Sequence, residues 1–329
     1  MRRMLAVALT SLVLGAVQTP LRAAEGDDPP PPPAARSATP KASSGPDEAY
    51  AAYQAGRYRT AFDLALKQAR EQDNAASMTL VAELYAQGYG VPYDLGKAAQ
   101  WYQAAALRGD PDAQFALGVM KLQGQGQPLD KKAAAELFRQ AAEKGNAVAA
   151  YNYGLLYLEG DVVLESPSLA AQWFEKAAEL DQPDAIYALS ALYREGNGVP
   201  KDPTRTAELL QRASALGHTV ATVEYGIVVF NGIGVPKDEA KAAALFRKAA
   251  LAGNAIGQNR YARVLSAGRG VPQDRVMAAA WNKAAAAQGL KDEMLDKMTS
   301  EMSAQDQAMA DAMLRTWAGE SAVAAPTLP

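Results

Sequence analysis

The sequence predicts an all-α fold, a solenoid built from stacked helix pairs. Three observations predict it. A glycine recurs at Gly88, Gly124, Gly160, Gly196, Gly232 and Gly268, each 36 residues from the last. A helix-capping residue follows at constant phase, at Asp94, Asp130, Ser166, Asp202, Asp238 and Asp274. Between these marks the apolar residues recur at helical spacing, as at Leu80, Leu84, Leu117, Leu156, Leu189 and Leu192. Six copies in one register, without insertion or deletion, indicate units that bury their apolar faces on one another.

Each recurring position has a local reason. The first glycine can adopt a left-handed backbone and end a helix. A second glycine follows at Gly90, Gly126, Gly198, Gly234 and Gly270, and then proline at Pro92, Pro128, Pro200, Pro236 and Pro272 bars continuation of the helix. The Asp or Ser after it accepts hydrogen bonds from the free N–H groups of the next helix. Pro167 and Pro203 directly follow their caps, where proline suits the first helical turn. Along this second helix Trp101, Leu137, Trp173, Leu209, Leu245 and Trp281 are expected to supply the apolar bulk. Small residues at Ala106, Ala142, Ala178, Ser214, Ala250 and Ala286 let a neighbouring helix approach closely. A further stop at Gly109, Gly145, Asp181, Gly217, Gly253 and Gly289 closes each copy, and Asn74, Asp110, Asn146, Gln182, His218 and Asn254 open the next first helix.

In chain order, residues 1–24 have the make-up of an export signal: Arg2 and Arg3, an apolar run from Met4 to Val17, then Ala23 and Ala24. The run is shorter than the ~20 residues of a membrane span, so a soluble exported product is expected rather than an anchored one. Residues 25–46 carry five consecutive prolines, Pro29 to Pro33, and read as a disordered spacer, with docking to a proline-binding partner as the alternative. Residues 47–73, with Tyr50, Tyr53, Tyr58, Phe62, Leu66 and Ala69 at helical spacing, form an N-terminal capping pair. Residues 74–289 are the six regular copies. Only the third turn departs: Gly160 is followed by Asp161, Val162, Val163, Leu164 and Glu165, without the second glycine or the usual proline. Its apolar residues either tuck against neighbours or project to a partner. Residues 290–318 hold Met294, Leu295 and Met298 on one predicted face, a capping-box-like Ser303 and Asp306, and Met309, Met313 and Trp317 every fourth residue. They read as a C-terminal cap, with an adaptable methionine-rich binding surface as the alternative. Residues 319–329 are a tail.

The composition narrows the chemistry. There is no cysteine, so disulfides, thiolate metal sites and cysteine nucleophiles are excluded. His218 is the one histidine, and its place in the helix-opening position predicts capping rather than catalysis. The Gly-x-Gly turns lack the P-loop lysine and follow helices, so they are helix stops, not phosphate cradles. Glu159, Asp161 and Glu165 cluster in the third turn, but their spacing fits no calcium loop. No metal or cofactor is expected. The net charge is −3, and loss of residues 1–24 leaves 30 basic against 36 acidic residues, about −6. No basic stripe is present, which argues against nucleic acid.

The run from Ala113 to Gly118 (Ala-Gln-Phe-Ala-Leu-Gly), then Gly124-Gln-Gly126, Pro128 and Asp130, then Phe138 to Gly145, resembles the Sel-one-like repeats, relatives of the tetratricopeptide repeats lengthened by a Gly-x-Gly-x-Pro turn. The resemblance implies a right-handed superhelix of antiparallel helix pairs whose first helices line a concave face. It also implies adaptor roles, which in exported bacterial members serve the envelope. Aligned on tetratricopeptide repeats, the partner-binding face would comprise Phe115, Val119, Leu122, Tyr151, Leu155, Leu158, Tyr187, Arg194, Val223, Ile227 and Phe230. The outer copies place Thr79, Glu83, Asn259, Arg263 and Ser266 in the same rows, a polar rim about an apolar centre. The expected function is a monomeric, non-enzymatic periplasmic scaffold that holds a peptide or helix of an envelope protein, with secretion as the alternative destination. The competing reading is an envelope enzyme or glycan-binding protein that acts on peptidoglycan or polysaccharide.

Overall fold

The computed structural model describes residues 47–320, which form sixteen helices and no strand. The expected signal and Pro-rich spacer fall on residues 1–46, and most of the tail on residues 321–329, outside the described residues. The chain divides into two compact units, one ending at Gln182 and one beginning at Pro183.

The first unit holds α1 (Glu48–Gln54), α2 (Tyr58–Glu71), α3 (Ala75–Gln87), α4 (Leu95–Leu107), α5 (Pro111–Gln123), α6 (Lys131–Glu143), α7 (Ala147–Glu159) and α8 (Pro167–Glu179). Each helix packs on the next in chain order. Short turns between them leave no other arrangement than alternating direction. The second unit holds α9 (Pro183–Glu195), α10 (Pro203–Ala215), α11 (Thr219–Asn231), α12 (Glu239–Leu251), α13 (Ala255–Ala267), α14 (Arg275–Ala287), α15 (Glu293–Ser300) and α16 (Ala304–Glu320). Within this unit each helix from α9 to α14 packs on the next, and both α15 and α16 pack against α14.

The helix boundaries follow from local chemistry. The carboxylates of Asp94, Asp130, Asp202, Asp238 and Asp274 each accept the N–H three residues on, at 2.8–3.0 Å, and the Ser166 hydroxyl does so at 3.4 Å. Each first helix ends on a left-handed glycine, such as Gly124 at φ 68°. The capping residue then returns its own N–H to a carbonyl inside that helix: Asp130 to Lys121 at 2.8 Å and Asp274 to Leu265 at 3.0 Å. The divergent third turn keeps this closure, since Ser166 N–H donates to Tyr157 O at 2.8 Å. Its apolar residues split. Val162 and Val163 are half-buried against the Phe138, Tyr153 and Leu156 cluster, while Leu164 is 88% exposed. Asp161, one of the clustered acids there, holds Lys131 Nζ at 2.5 Å.

The second glycine has a role that its spacing alone does not reveal. A Cβ on Gly126, itself at φ 65°, would stand 2.2 Å from Leu95 O, at the first residue of the preceding copy's second helix. Gly90, Gly234 and Gly270 meet Tyr58–Arg59, Pro203–Thr204 and Glu239–Ala240 in the same way. The turn of one copy therefore lies on the helix start of the copy before it. Gly126→Ala is expected to destabilise the first unit by about 2–3 kcal/mol, from a left-handed non-glycine residue plus a forced backbone shift. Urea unfolding followed by circular dichroism reads this directly.

The core corrects one expectation. Of the anticipated bulk positions Leu209 and Trp281 are buried, but Trp101, Leu137, Trp173 and Leu245 are only half-buried. The deepest side chains lie one residue on: Phe138 (1% exposed), Phe174 (0%), Leu210 (0%) and Phe246 (3%). Three of these rings lie over a glycine of the first helix in their own pair. A Cβ on Gly118, Gly154 or Gly226 would come within 2.6–2.7 Å of the Cε1 of Phe138, Phe174 or Phe246. In two copies without the ring the slot is filled: Ser190 stands 20 residues before Leu210, and Ala262 20 before Asn282. The first copy departs, with Ala82 20 residues before the buried Tyr102.

At the C-terminal end Trp317 stacks on Trp281, centroids 4.2 Å apart. Met298, Met302 and Met313 pack beneath α14, whereas Met309 stays 46% exposed. The shared face expected for Met294, Leu295 and Met298 divides, because Leu295 is fully buried and Met294 is 54% exposed. The Ser303 hydroxyl caps Asp306 N–H at 3.1 Å, and it donates to the Asp306 carboxylate at 2.8 Å instead of the carboxylate reaching back to the backbone.

Candidate partner-binding faces

The residues expected to bind a partner sit on the first helices, and the structure separates them into two groups. In the first unit Phe115, Val119 and Leu122 on α5 and Leu158 on α7 are half-buried, each with surface left over. Tyr151 and Leu155 on α7 are 5% exposed, so their placement on an open face is corrected. The Phe115 and Tyr151 rings lean on the core rings Phe138 and Phe174 at 5.7 and 5.6 Å. In this unit the aromatic ladder is therefore largely an inter-helix packing device, in which Phe115 keeps a usable edge.

In the second unit Val223 is 2% exposed and belongs to the core, a second correction. Tyr187 and Arg194 on α9 are joined through one carboxylate. The Tyr187 hydroxyl donates to Glu224 Oε1 at 2.8 Å, and Arg194 Nη1 donates to Glu224 Oε2 at 2.5 Å. Burial, reinforced by the neighbouring Glu224 charge, pushes the Tyr187 phenol above its ordinary range, so it stays a donor. Its ring stacks on His218 with centroids 4.6 Å apart. His218 Nδ1 accepts the Ala221 N–H at 3.0 Å, the capping role expected of it. The other ring nitrogen lies 3.5 Å from Asp184 Oδ1, so both nitrogens are engaged.

Ile227 and Phe230 on α11 border a cavity of about 340 Å³ with Phe246, Val264 and Met294. Three guanidinium groups, Arg260, Arg263 and Arg269, complete its lining with Asn231 and Ala267. Arg263 Nε donates to Asp292 at 2.6 Å. Arg269 lies over the Phe230 ring at 4.2 Å and pairs with Glu239 at 2.5 Å. The row assignments of Ile227, Phe230 and Arg263 brought these residues together. Arg260, Phe246 and Met294 were missed, because they reach the cavity from helix faces that the repeat alignment does not assign to a partner.

Among the described residues no group of His, Asp and Glu side chains is placed to hold a metal ion, and no helix is long and apolar enough to cross a membrane.

Residues 75–110, 111–146, 147–182, 183–218, 219–254 and 255–290 match the family model of the Sel1 repeat. These bounds lie one residue beyond the 74–289 read from the spacing, and the boundary between the two units falls between the third and fourth copies. Among solved structures the chain is similar to a Sel1 repeat protein from Oxalobacter formigenes, at 31% identity and TM-score 0.65, over 73% of this chain and 98% of that one. It is also similar to a protective antigen of uropathogenic Escherichia coli strains that displays an SLR fold, at 26% identity and TM-score 0.53, over 83% of this chain and 68% of that one. No curated protein matches the sequence. Six consecutive matched copies, each with the helix pair and the glycine turn seen in the structure, place the chain in the Sel1-repeat family.

Proposed function

We propose that this protein is a non-enzymatic scaffold of the bacterial envelope that holds a peptide or helix of a partner protein against its first helices. Sel1-repeat proteins are generally protein–protein interaction scaffolds. The observation that carries the reading is the surplus apolar surface of Phe115, Val119, Leu122 and Leu158, on helices whose backbone groups are already satisfied by caps and turns. Such a face gains by burying side chains rather than by pairing backbone, the mode in which a groove receives a helix or peptide. The envelope assignment rests on the Arg2–Arg3 start, the apolar run to Val17 and the Ala23–Ala24 pair. The charged groups of the described cavity are guanidiniums rather than paired carboxylates, which supports binding over glycan hydrolysis.

The test is crosslinking and co-purification from the native envelope with Val119→Asp plus Leu158→Asp, after circular dichroism has confirmed wild-type helicity. The yield of at least one partner is expected to fall about tenfold, as for removal of contacts at the centre of an interface. A folded variant that captures every partner at wild-type yield refutes the reading.

A further inference from the structure

We propose that the cavity bordered by α11, α12, α13 and α15 receives the C-terminal residue of a partner polypeptide, with an apolar side chain between its walls and the terminal carboxylate against Arg260. The proposal rests on the scaffold reading and specifies the ligand for one place in the second unit.

The charges single out Arg260. Of the three guanidiniums, Arg263 is matched by Asp292 and Arg269 by Glu239. Arg260 is half-buried, its Nε is buried without a hydrogen-bond partner, and among the described residues it forms no ion pair with a carboxylate. A buried unsatisfied donor is uncommon in folded proteins and calls for a specific cause. One unmatched positive charge in an apolar recess is the complement of one negative charge.

The lining narrows the chemistry. Guanidiniums donate and cannot accept, and the Asn231 amide nitrogen is engaged with Ile227 O at 2.9 Å, which leaves its Oδ1 as the one side-chain acceptor of the lining. A chain passing through would bring more N–H groups than that one acceptor can serve. A chain terminus brings an acceptor-only carboxylate, and it places that carboxylate one atom from its side chain. Ile227, Phe230, Phe246 and Val264 form the apolar wall. The volume of about 340 Å³ lies at the low end for ligand pockets, roughly 300–1,000 Å³, which suits one residue and not a helix. Met294, 54% exposed on α15, supplies an adaptable edge that can follow side chains of different shape.

Three probes test it by calorimetric titration of the full chain: N-acetyl-Ala-Ala-Leu as the free acid, the same tripeptide as its C-terminal amide, and decanoate. The free acid is expected to bind saturably, and the amide about tenfold more weakly or worse, the effect of removing one charge-assisted hydrogen bond. Arg260→Met is expected to weaken the free acid to the level of the amide. Arg260→Lys keeps the charge but not the planar fork and is expected to fall between them. Because Arg260→Met removes an unsatisfied buried donor, its Tm is expected to stay level or rise. Equal affinity for acid and amide, wild-type affinity in Arg260→Met, or no binding of the tripeptide overturns the proposal. A drop of several degrees in the Tm of Arg260→Met makes the residue structural and also overturns it. Binding of decanoate alone reassigns the cavity to a lipid carboxylate. Failure here with retained sensitivity of capture to Val119 and Leu158 leaves the scaffold reading standing, and the reverse pattern separates them the other way.

Discussion

Phe174→Ala is expected to destabilise the unit that ends at Gln182 by about 3–5 kcal/mol, the range for truncating a buried Phe. The ring is 0% exposed. It fills a slot whose far wall is the backbone of Gly154, and Tyr151 leans on it at 5.6 Å. Neither neighbour can collapse into the space, since one is helix backbone and the other is held by its own packing. The matching change on the other side of the contact is Gly154→Ala. Its Cβ would stand 2.6 Å from Phe174 Cε1, which no real Cβ contact tolerates. Overpacking of this kind costs about 1–3 kcal/mol, partly offset by the ~1 kcal/mol by which alanine outranks glycine in a helix. The two positions should couple. In a Phe174→Leu background, Gly154→Ala is expected to become neutral or stabilising, as at Ser190 and Leu210, where the chain already pairs a filled slot with a smaller side chain. A double-mutant cycle by urea denaturation measures the coupling. Strict additivity would show that the glycine serves another purpose.

Asp292→Ala carries the second large effect, an expected loss of about 2–4 kcal/mol in the unit that begins at Pro183. The Asp292 carboxylate is 3% exposed and serves three donors: Asn259 Nδ2 at 2.7 Å, Arg263 Nε at 2.6 Å and the Leu295 N–H at 3.3 Å. Its removal takes away the α15 cap, worth about 1 kcal/mol, and leaves Asn259, only 7% exposed, with a buried unsatisfied amide at about 1–3 kcal/mol. The same carboxylate makes stability depend on pH. Burial raises its pKa, but the Arg263, Asn259 and Leu295 hydrogen bonds outweigh that and hold it below the ordinary value. A folded-state pKa below the unfolded one stabilises the protein above the unfolded value, about 3.9, and that stability is lost as pH falls through the folded pKa. Between about pH 5 and pH 3 the wild type is therefore expected to lose stability faster than Asp292→Asn, which cannot take up the proton. Glu136, lowered to about 2 by hydrogen bonds from Arg139 and Gln140, adds a slope of the same sign that both proteins share. Melting curves across that range would show parallel lines if Asp292 played no part.

The partner face was only partly readable from the sequence. The repeat register put Phe115, Val119, Leu122, Leu158, Ile227 and Phe230 on the first helices, and there they keep surface to offer. It put Tyr151, Leu155 and Val223 on the same face, yet these are buried. Residues at equivalent positions in successive copies differ in exposure because each neighbour differs in bulk, and a register does not carry that information. Arg260 was invisible for a related reason. An unmatched charge is defined by the carboxylates that fail to reach it, and no local pattern records an absent partner.

The sequence by itself determined the class, the number of copies and the ends of nearly every helix, because these rest on contacts three to nine residues long: an aspartate on an N–H of the next turn, a glycine that ends the helix, a backbone bond that closes the loop. Only the tertiary structure decided which of two adjacent apolar positions, Leu137 or Phe138, enters the core. Neighbouring residues on a helix point about 100° apart, and the choice between them was made by a glycine slot 20 residues upstream, where the space for a ring exists only after the two helices have packed.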